Sequence, residues 1–504
     1  MAGIQSDGWF DVGASVRSRV PSAVTARLGI DIRAIAAYRI GLGLVALFDL
    51  LVFRVPGIGT FYTDRGVLPR STLAEVSPAL VRWSLHAVSG AAWVQAVLMG
   101  ITVLVAGCVL VGYRSRIASV LLASLLISMY ARNPYLVNGG DTVLISLLAL
   151  AAFLPLDGRW AVRPRGPRPT DRFSAGSNRY VSTATAVLLV HVVVIYAINA
   201  ALKFQSDAWM RGVAVRQIFG LAELVYLLGP ALAASPGVLT VINWLWIGTL
   251  TASVGLIVFT GRLRIAIVGA YVGAHLGMAL TMQLGAFPFV MIVAVCPYLP
   301  SGVWDPVDRF VSDRIQNTGL GTITDREGGT PRSRRVPSPD LPPAVHTGAR
   351  VATAAALVSS LVVVGGWQLV AADVVETPAV DDEGPLASAS WAFFAPNPQS
   401  TSHWYVASAT TSSGATVDLV TGDPATFDRP ADAMDRYPST LWRRYGSKAR
   451  GAGDAVAGAA VAYACDRAPS DVESVTLYRV DQSVDANGPV GAPIPHELAT
   501  RSCR

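Results

Sequence analysis

The chain has 504 residues, 52% of them hydrophobic and only 15% charged, with a mean hydropathy of +0.45, whereas soluble domains carry roughly 25% charged residues. That balance excludes an ordinary soluble domain and describes a polytopic membrane protein. The formal net charge of +6 is accounted for by basic loops beside anionic lipid, so membrane lipid is the expected partner and nucleic acid is not.

Residues 1–33 are mostly polar, with scattered Arg and Gly and no compact apolar core before a small-residue cleavage site. They read as a cytoplasmic N-terminal segment, with no cleavable signal. Apolar runs follow near 34–53, 91–111, 117–131, 142–156, 181–200, 239–259, 265–280, 286–299 and 351–372, and about 20 such residues cross roughly 30 Å of hydrocarbon. The runs at 117–131, 142–156 and 286–299 are short, which fits tilted, partly re-entrant or extended segments. The expected fold is an all-α polytopic bundle of eight or nine transmembrane helices, with residues 34–300 as its dense membrane domain. Residues 301–350, rich in Pro, Gly, Ser and mixed charge, read as a cytoplasmic linker, and 351–372 as the last transmembrane helix.

Residues 373–504 read as a small extracytoplasmic α+β domain. His403–Ser408, Ala415–Val420 and Ser474–Val480 carry β-branched and aromatic residues in partial alternation, which predicts strands. The Ala-rich stretch Asp454–Cys465 predicts a helix. No sequence repeat of fixed period is present.

Arginine placement sets the orientation, because cytoplasmic loops collect Lys and Arg. With nine spans and an inside start, alternate segments hold 21 arginines on the inner side, against eight basic residues in the outer loops. The N-terminus is then cytoplasmic, and the protein is a multi-pass protein of the cell membrane with its C-terminal domain outside. Cys465 and Cys503 both fall in that outer domain, where an oxidising compartment permits a disulfide; sequence alone does not give the distance between them. Cys108 and Cys296 lie in apolar spans and read as small buried hydrophobes. No Cys/His spacing resembles a zinc site, and hydrolase, Walker and dinucleotide fingerprints are absent, so no metal is expected.

Ionisable groups inside spans cost roughly 2.5–3.5 kcal/mol each on insertion scales, and so need a compensating partner or role. His191, Asn199 and Lys203 lie within about 120° of one helix face at about 100° per residue, a polar stripe facing the bundle interior. His275 sits in the later half of another span among small residues, which allow close helix approach. Two readings are open for each group. A membrane histidine can simply bond a carbonyl, and Lys203, one of only two lysines, can snorkel to the interface. Alternatively an amine kept out of water favours its neutral form, a base or nucleophile. Arg39 and Asp49, ten residues apart, are expected to find partners on other helices. The loops Phe61–Gly66, Arg132–Asp141 and Ser206–Gly212 all face outward in this topology. Asn138-Gly-Gly-Asp141 reads either as a helix cap or as part of a pocket opening outward.

Several ordered motifs carry a family resemblance: Tyr38-Arg-Ile-Gly-Leu-Gly, Phe61-Tyr-Thr-Asp-Arg-Gly-Val-Leu-Pro69, Gly112-Tyr-Arg, Arg132-Asn-Pro through Asn138-Gly-Gly-Asp141, Lys203 with Trp209 and Gly212, and His275-Leu-Gly with Gly285-Ala-Phe-Pro. Over roughly 31–300, and more faintly in the tail, the chain resembles the horizontally transferred transmembrane (HTTM) domain family, which includes the vitamin K-dependent gamma-carboxylases. The resemblance implies a helical bundle with its chemistry near the outer side. In those carboxylases a lysine deprotonates reduced vitamin K, oxygen then yields a strong base, and a glutamate γ-proton is removed before CO₂ adds.

On this resemblance Lys203 and His275 are the implied catalytic positions, together with Asn133 in the loop where the carboxylases carry a histidine. Asparagine donates a hydrogen bond but carries no proton, so a reduced quinone is a firmer implied cofactor than glutamate is a substrate. His191, Asn199 and Trp209 are the implied quinone surroundings. The expected function is thus a quinol-dependent enzyme of the outer membrane face. Two alternatives are a non-catalytic membrane protein whose outer domain binds an extracytoplasmic protein partner, and a transporter or channel using Arg39, Asp49, His191 and Lys203.

Overall fold

The computed structural model describes residues 22–162, 164, 178–317, 343–370, 391, 393–432 and 436–503. Residues 1–21 of the expected N-terminal segment, 318–342 of the expected linker and 371–390 lie outside the described residues.

Helix α1 (Ile32–Arg54) is followed by α2 (Ala92–Val111) and α3 (Ser115–Arg132), each long and apolar enough to cross a membrane. A shorter helix, α4 (Gly139–Ala151), precedes three more spanning helices: α5 (Thr183–Phe204), α6 (Pro236–Val258) and α7 (Gly261–Thr281). Helix α8 (Phe287–Val295) runs through Tyr298 and then bends by 106° into α9 (Ser301–Asn317). Helix α10 (Pro343–Val370) contains the last spanning segment. The chain is therefore a multi-pass membrane protein with seven such helices among the described residues, or eight if the bent pair counts as one. Of the expected eight or nine spans, the run at 142–156 does not form one by itself, because α4 has 13 residues, about 20 Å at 1.5 Å per residue. Part of the expected linker is also helical: α9 lies across the end of the bundle, tied by Arg33–Asp305 (2.6 Å) and Arg159–Asp308 (2.7 Å).

Helix starts follow local chemistry. Asn138 and Asp141 form a reciprocal capping box on α4, and Ser182 with Thr185 does the same on α5, satisfying backbone N–H groups that a helix start leaves open. The last turns of α1, Asp49–Arg54, are π-helical, so residues five apart share a face. Asp49 accordingly pairs with Arg54 on its own span at 2.9 Å, and not with another helix as the spacing suggested. Arg39 donates to the Trp160 carbonyl at 2.5 Å.

A small antiparallel pair, β1 (Ile30–Asp31) with β2 (Arg179–Tyr180), joins the start of α1 to that of α5. The tail forms a four-stranded antiparallel sheet from β3 (Thr401–Thr411), β4 (Thr416–Asp418), β5 (Val472–Asp485) and β6 (Gly488–Ser502), in the order β4-β3-β5-β6. Two helices accompany it, α11 (Thr440–Ala449) and α12 (Asp454–Cys465). Trp404, Val406 and Val480 pack on one face; Ala407, Ala409 and Val475 pack with Val461 of α12 on the other. Strand β6 went unread because it holds Pro489, Pro493 and Pro495. It is an edge strand, where a missing N–H costs no ladder bond. Cys465 and Cys503 are joined by a disulfide, linking the end of α12 to the end of β6.

Candidate functional site

The sheet domain is seated on one end of the bundle, and the seam is made of buried charge. Asp141 at the start of α4 accepts from Arg54 of α1 at 3.1 Å and from Arg444 of α11 at 3.2 Å. Tyr62 and Tyr130 surround this group, the first accepting from Arg54 at 3.1 Å, the second over the Arg54 guanidinium at 5.0 Å. Gly285, at φ +65°, permits the approach of Arg444: a Cβ there would lie 2.4 Å from Nη2. A second contact joins Ser402 Oγ to the Glu223 carboxylate at 2.6 Å, with His403 Nδ1 3.5 Å from the other oxygen. Burial pushes His403 down to about 4 and Glu223 up, so this pair resists charging on both sides.

Lys203 lies at the same seam near the end of α5 and is 1% exposed. Its Nζ donates to the Phe393 carbonyl at 2.6 Å and the Asn199 amide oxygen at 3.4 Å, and lies 4.7 Å from the centre of the Trp209 ring. Trp209 Nε1 donates to the next carbonyl, Phe394, at 3.0 Å, and Asn199 Nδ2 to that of Trp391 at 2.7 Å. Trp391, Phe393 and Phe394, from the tail, thus accept through their backbone carbonyls from Asn199, Lys203 and Trp209 respectively. No carboxylate pairs with Lys203 among the described residues.

Beside this lies a cavity of about 880 Å³, predominantly apolar, between the bundle and the sheet domain. Asn199, Trp209, Phe393 and Phe394 are part of its wall, and Lys203 stands directly behind them. His275 lines it too. Its Nε2 meets the Tyr196 hydroxyl at 3.1 Å, while its buried Nδ1 has no hydrogen-bond partner. Trp246 and Phe287 set their rings edge-on to the imidazole at 5.7 and 5.8 Å.

Of the residues singled out from the sequence, Lys203, Asn199, Trp209 and His275 come together here. His191 and Asn133 do not line the cavity. His191 Nε2 meets Ser146 Oγ at 2.9 Å, its ring edge-on to Trp391. Asn133 is fully buried and donates to the Phe61 carbonyl at 3.0 Å, which makes it a strap on the 61–68 loop. No group of three His, Cys, Asp or Glu side chains gathers as a metal site among the described residues.

Sequence reasoning missed Arg443, Arg444 and Lys448, which line the cavity from α11. The available signal was Ser439 before Thr440-Leu-Trp-Arg-Arg-Tyr, an N-cap opening an amphipathic helix; the Ser439 hydroxyl does accept from Trp442 N. Burial pushes Arg443 to about 10 and lowers Lys448. No protein-family model matches the chain, and no curated protein or solved structure matches it either.

Proposed function

We propose that this membrane protein is a quinol-dependent enzyme whose ring-bearing substrate occupies the cavity at the seam, with Lys203 as the base that receives a ring hydroxyl proton. The observation carrying this reading is a buried amine held only by neutral acceptors, next to an apolar cavity in the range of roughly 300–1,000 Å³ usual for small-molecule sites. Such an amine has no carboxylate to keep it protonated, and a hydroxyl proton moving to Nζ leaves a quinolate facing the ammonium so formed. His275 and Tyr196, joined by their hydrogen bond, supply polar contacts on the opposite wall, where the unpartnered Nδ1 awaits a donor or acceptor. The resemblance to the HTTM domain family, and through it to the vitamin K-dependent gamma-carboxylases, supports a quinol here. The same reading puts the cavity and the sheet domain at the outer face of the cell membrane.

Asn133 takes no part in proton transfer in this proposal, since its amide is committed to the Phe61 carbonyl. Phe393 and Phe394 have to shift for a ring to meet Nζ, because they stand between it and the cavity. The transport alternative draws less support: Arg39, Asp49, His191 and Lys203 each have separate local partners.

The test is quinol-dependent oxygen uptake by purified protein in lipid nanodiscs, comparing wild type with Lys203→Ala and Lys203→Arg. Loss of uptake in both variants, with the disulfide intact and the quinone still bound, supports the base. An unchanged rate in Lys203→Ala removes the lysine from the chemistry.

A further inference from the structure

The cavity has a charged side that the quinol reading does not use. Helix α11 presents Arg443, Arg444 and Lys448 to it, residues whose spacing places them along one face of a helix. Arg443 is 8% exposed; it spends Nη2 on the Gln283 carbonyl at 2.8 Å, while its buried Nε has no partner. Arg444 is held by Asp141, and its Nε is likewise buried without a partner. Lys448 makes no hydrogen bond or ion pair among the described residues.

The charges around this wall do not balance. Of the three cations that line the cavity, only Arg444 has a carboxylate at ion-pair distance, Asp141, which it shares with Arg54; Arg443 and Lys448 have none among the described residues. A buried cation without a carboxylate partner is costly, so buried Arg443, with half-buried Lys448 beside it on the same wall, calls for a negative charge from outside the chain.

The opposite side of the cavity says how that charge arrives. Leu245 of α6 and Ala270, Gly273 and Gly277 of α7, two spanning helices, line the cavity and are exposed. At Gly273 and Gly277 a Cβ would meet nothing within 4 Å. Open space at exposed glycines of a spanning helix is what a lateral way in from the lipid, between α6 and α7, requires. A small soluble anion has no use for such an opening, and a neutral lipid leaves the cations unpaired.

We propose that this cavity is a binding site for a single-chain anionic amphiphile, entering from the bilayer between α6 and α7 and setting a carboxylate- or phosphate-type head against Lys448 and Arg443. The head lies at the seam with the sheet domain and the chain extends into the lipid-facing window. This site does not depend on the role of Lys203, and its test contains no oxygen-uptake measurement, so each reading fails on its own result.

The experiment uses the full chain in phosphatidylcholine nanodiscs and three probes. Radiolabelled hexadecanesulfonate is a permanent monoanion on a C16 chain, hexadecanol is its neutral counterpart, and methanesulfonate is the head alone. Saturable binding of the hexadecanesulfonate is expected, with hexadecanol and methanesulfonate failing to displace it at equal concentration. Lys448→Gln weakens binding by about tenfold, the usual worth of a hydrogen bond to a charged group. Gly273→Leu fills the window and weakens binding at least as much. Gly269→Leu, on the same helix with equally open space but off the cavity wall, leaves binding unchanged and controls for insertion and folding. Displacement by hexadecanol would show an uncharged lipid groove, and displacement by methanesulfonate a plain anion site; either overturns the proposal. So does undiminished binding in both Lys448→Gln and Gly273→Leu.

Discussion

Asp141→Asn removes one negative charge without changing side-chain shape, and the seam between bundle and sheet domain is where its loss is felt. In the wild type Asp141 serves two guanidinium groups, Arg54 at 3.1 Å and Arg444 at 3.2 Å, while also closing the cap on its own helix through the Asn138 N–H at 2.8 Å. Arg54 keeps Asp49 at 2.9 Å. Arg444 keeps only backbone carbonyls, those of Leu136 and Leu284 at 3.4 and 3.5 Å, and is 3% exposed. Breaking a buried pair by deleting one partner costs about 3–5 kcal/mol, because the remaining charge is left uncompensated. The weakened cap adds less, since asparagine can still accept a hydrogen bond there.

Hydrogen exchange of the α11 amides reads this cost directly, because α11 carries Arg444 and opens when the seam opens. At about 1.4 kcal/mol per factor of ten, a loss of that size speeds exchange across 440–449 by at least about 100-fold. Arg444→Met alone also exposes the seam. In the double variant Asp141→Asn with Arg444→Met, however, exchange is slower than the two single effects multiplied together, because the orphaned cation is gone. Acceleration of less than tenfold in Asp141→Asn, or strict additivity of the two changes, refutes the reasoning: the seam would then be held by apolar contact and the charges would be incidental.

Acid should loosen the sheet domain through His403. The folded protein holds this imidazole at about 4, against about 6.5 in an unfolded chain. As pH falls the unfolded chain takes the proton first, so the stability from neutral His403 is complete above pH 6.5 and is lost on the way down to 4, about 2–3 kcal/mol by pH 4.5. Glu223, raised by burial, works in the opposite sense over part of that window, so the check is the contrast with His403→Gln, whose denaturation midpoint should move less between pH 7 and 4.5; equal movement counts against it. Cys503→Ser opens a disulfide spanning 38 residues, and loop entropy puts the loss at about 4 kcal/mol; an unchanged midpoint under non-reducing conditions contradicts this. Gly43→Ala should push α1 from α2, since a Cβ there would lie 2.6 Å from the Leu110 Cα. Overpacking of that kind costs about 1–3 kcal/mol, and a thermal midpoint equal to wild type would show that the helices can separate freely.

Much of the architecture was legible along the chain. Helices near 34–53, 91–111 and 181–200 were readable because lipid demands long apolar runs with every backbone group bonded internally, and α12 was read over its full range. Helix α4 was overread, since apolar letters continue past Ala151, beyond the point where the backbone leaves the helix. Strand β6 and helix α11 were missed for opposite reasons. The prolines of β6 speak against a ladder that only its edge position allows. Helix α11 has a polar face that is solvated in most proteins but here is pressed against a membrane bundle.

Composition and periodicity by themselves determined that the chain is a multi-pass membrane protein with an α+β tail, because solvent preference is a local property that each residue carries with it. They also marked Lys203, Asn199 and His275, because a polar group in an apolar run stands out wherever it folds, whereas Trp209 was implied only by the family resemblance. Tertiary structure alone decided that Phe393 would cap the lysine and that His191 and Asn133 would face away. It also brought two arginines and a lysine from 240 or more residues beyond Lys203 to line the same cavity. Those outcomes depend on which surfaces meet, and the tail's docking is set by ion pairs and carbonyl contacts whose partners lie hundreds of residues apart.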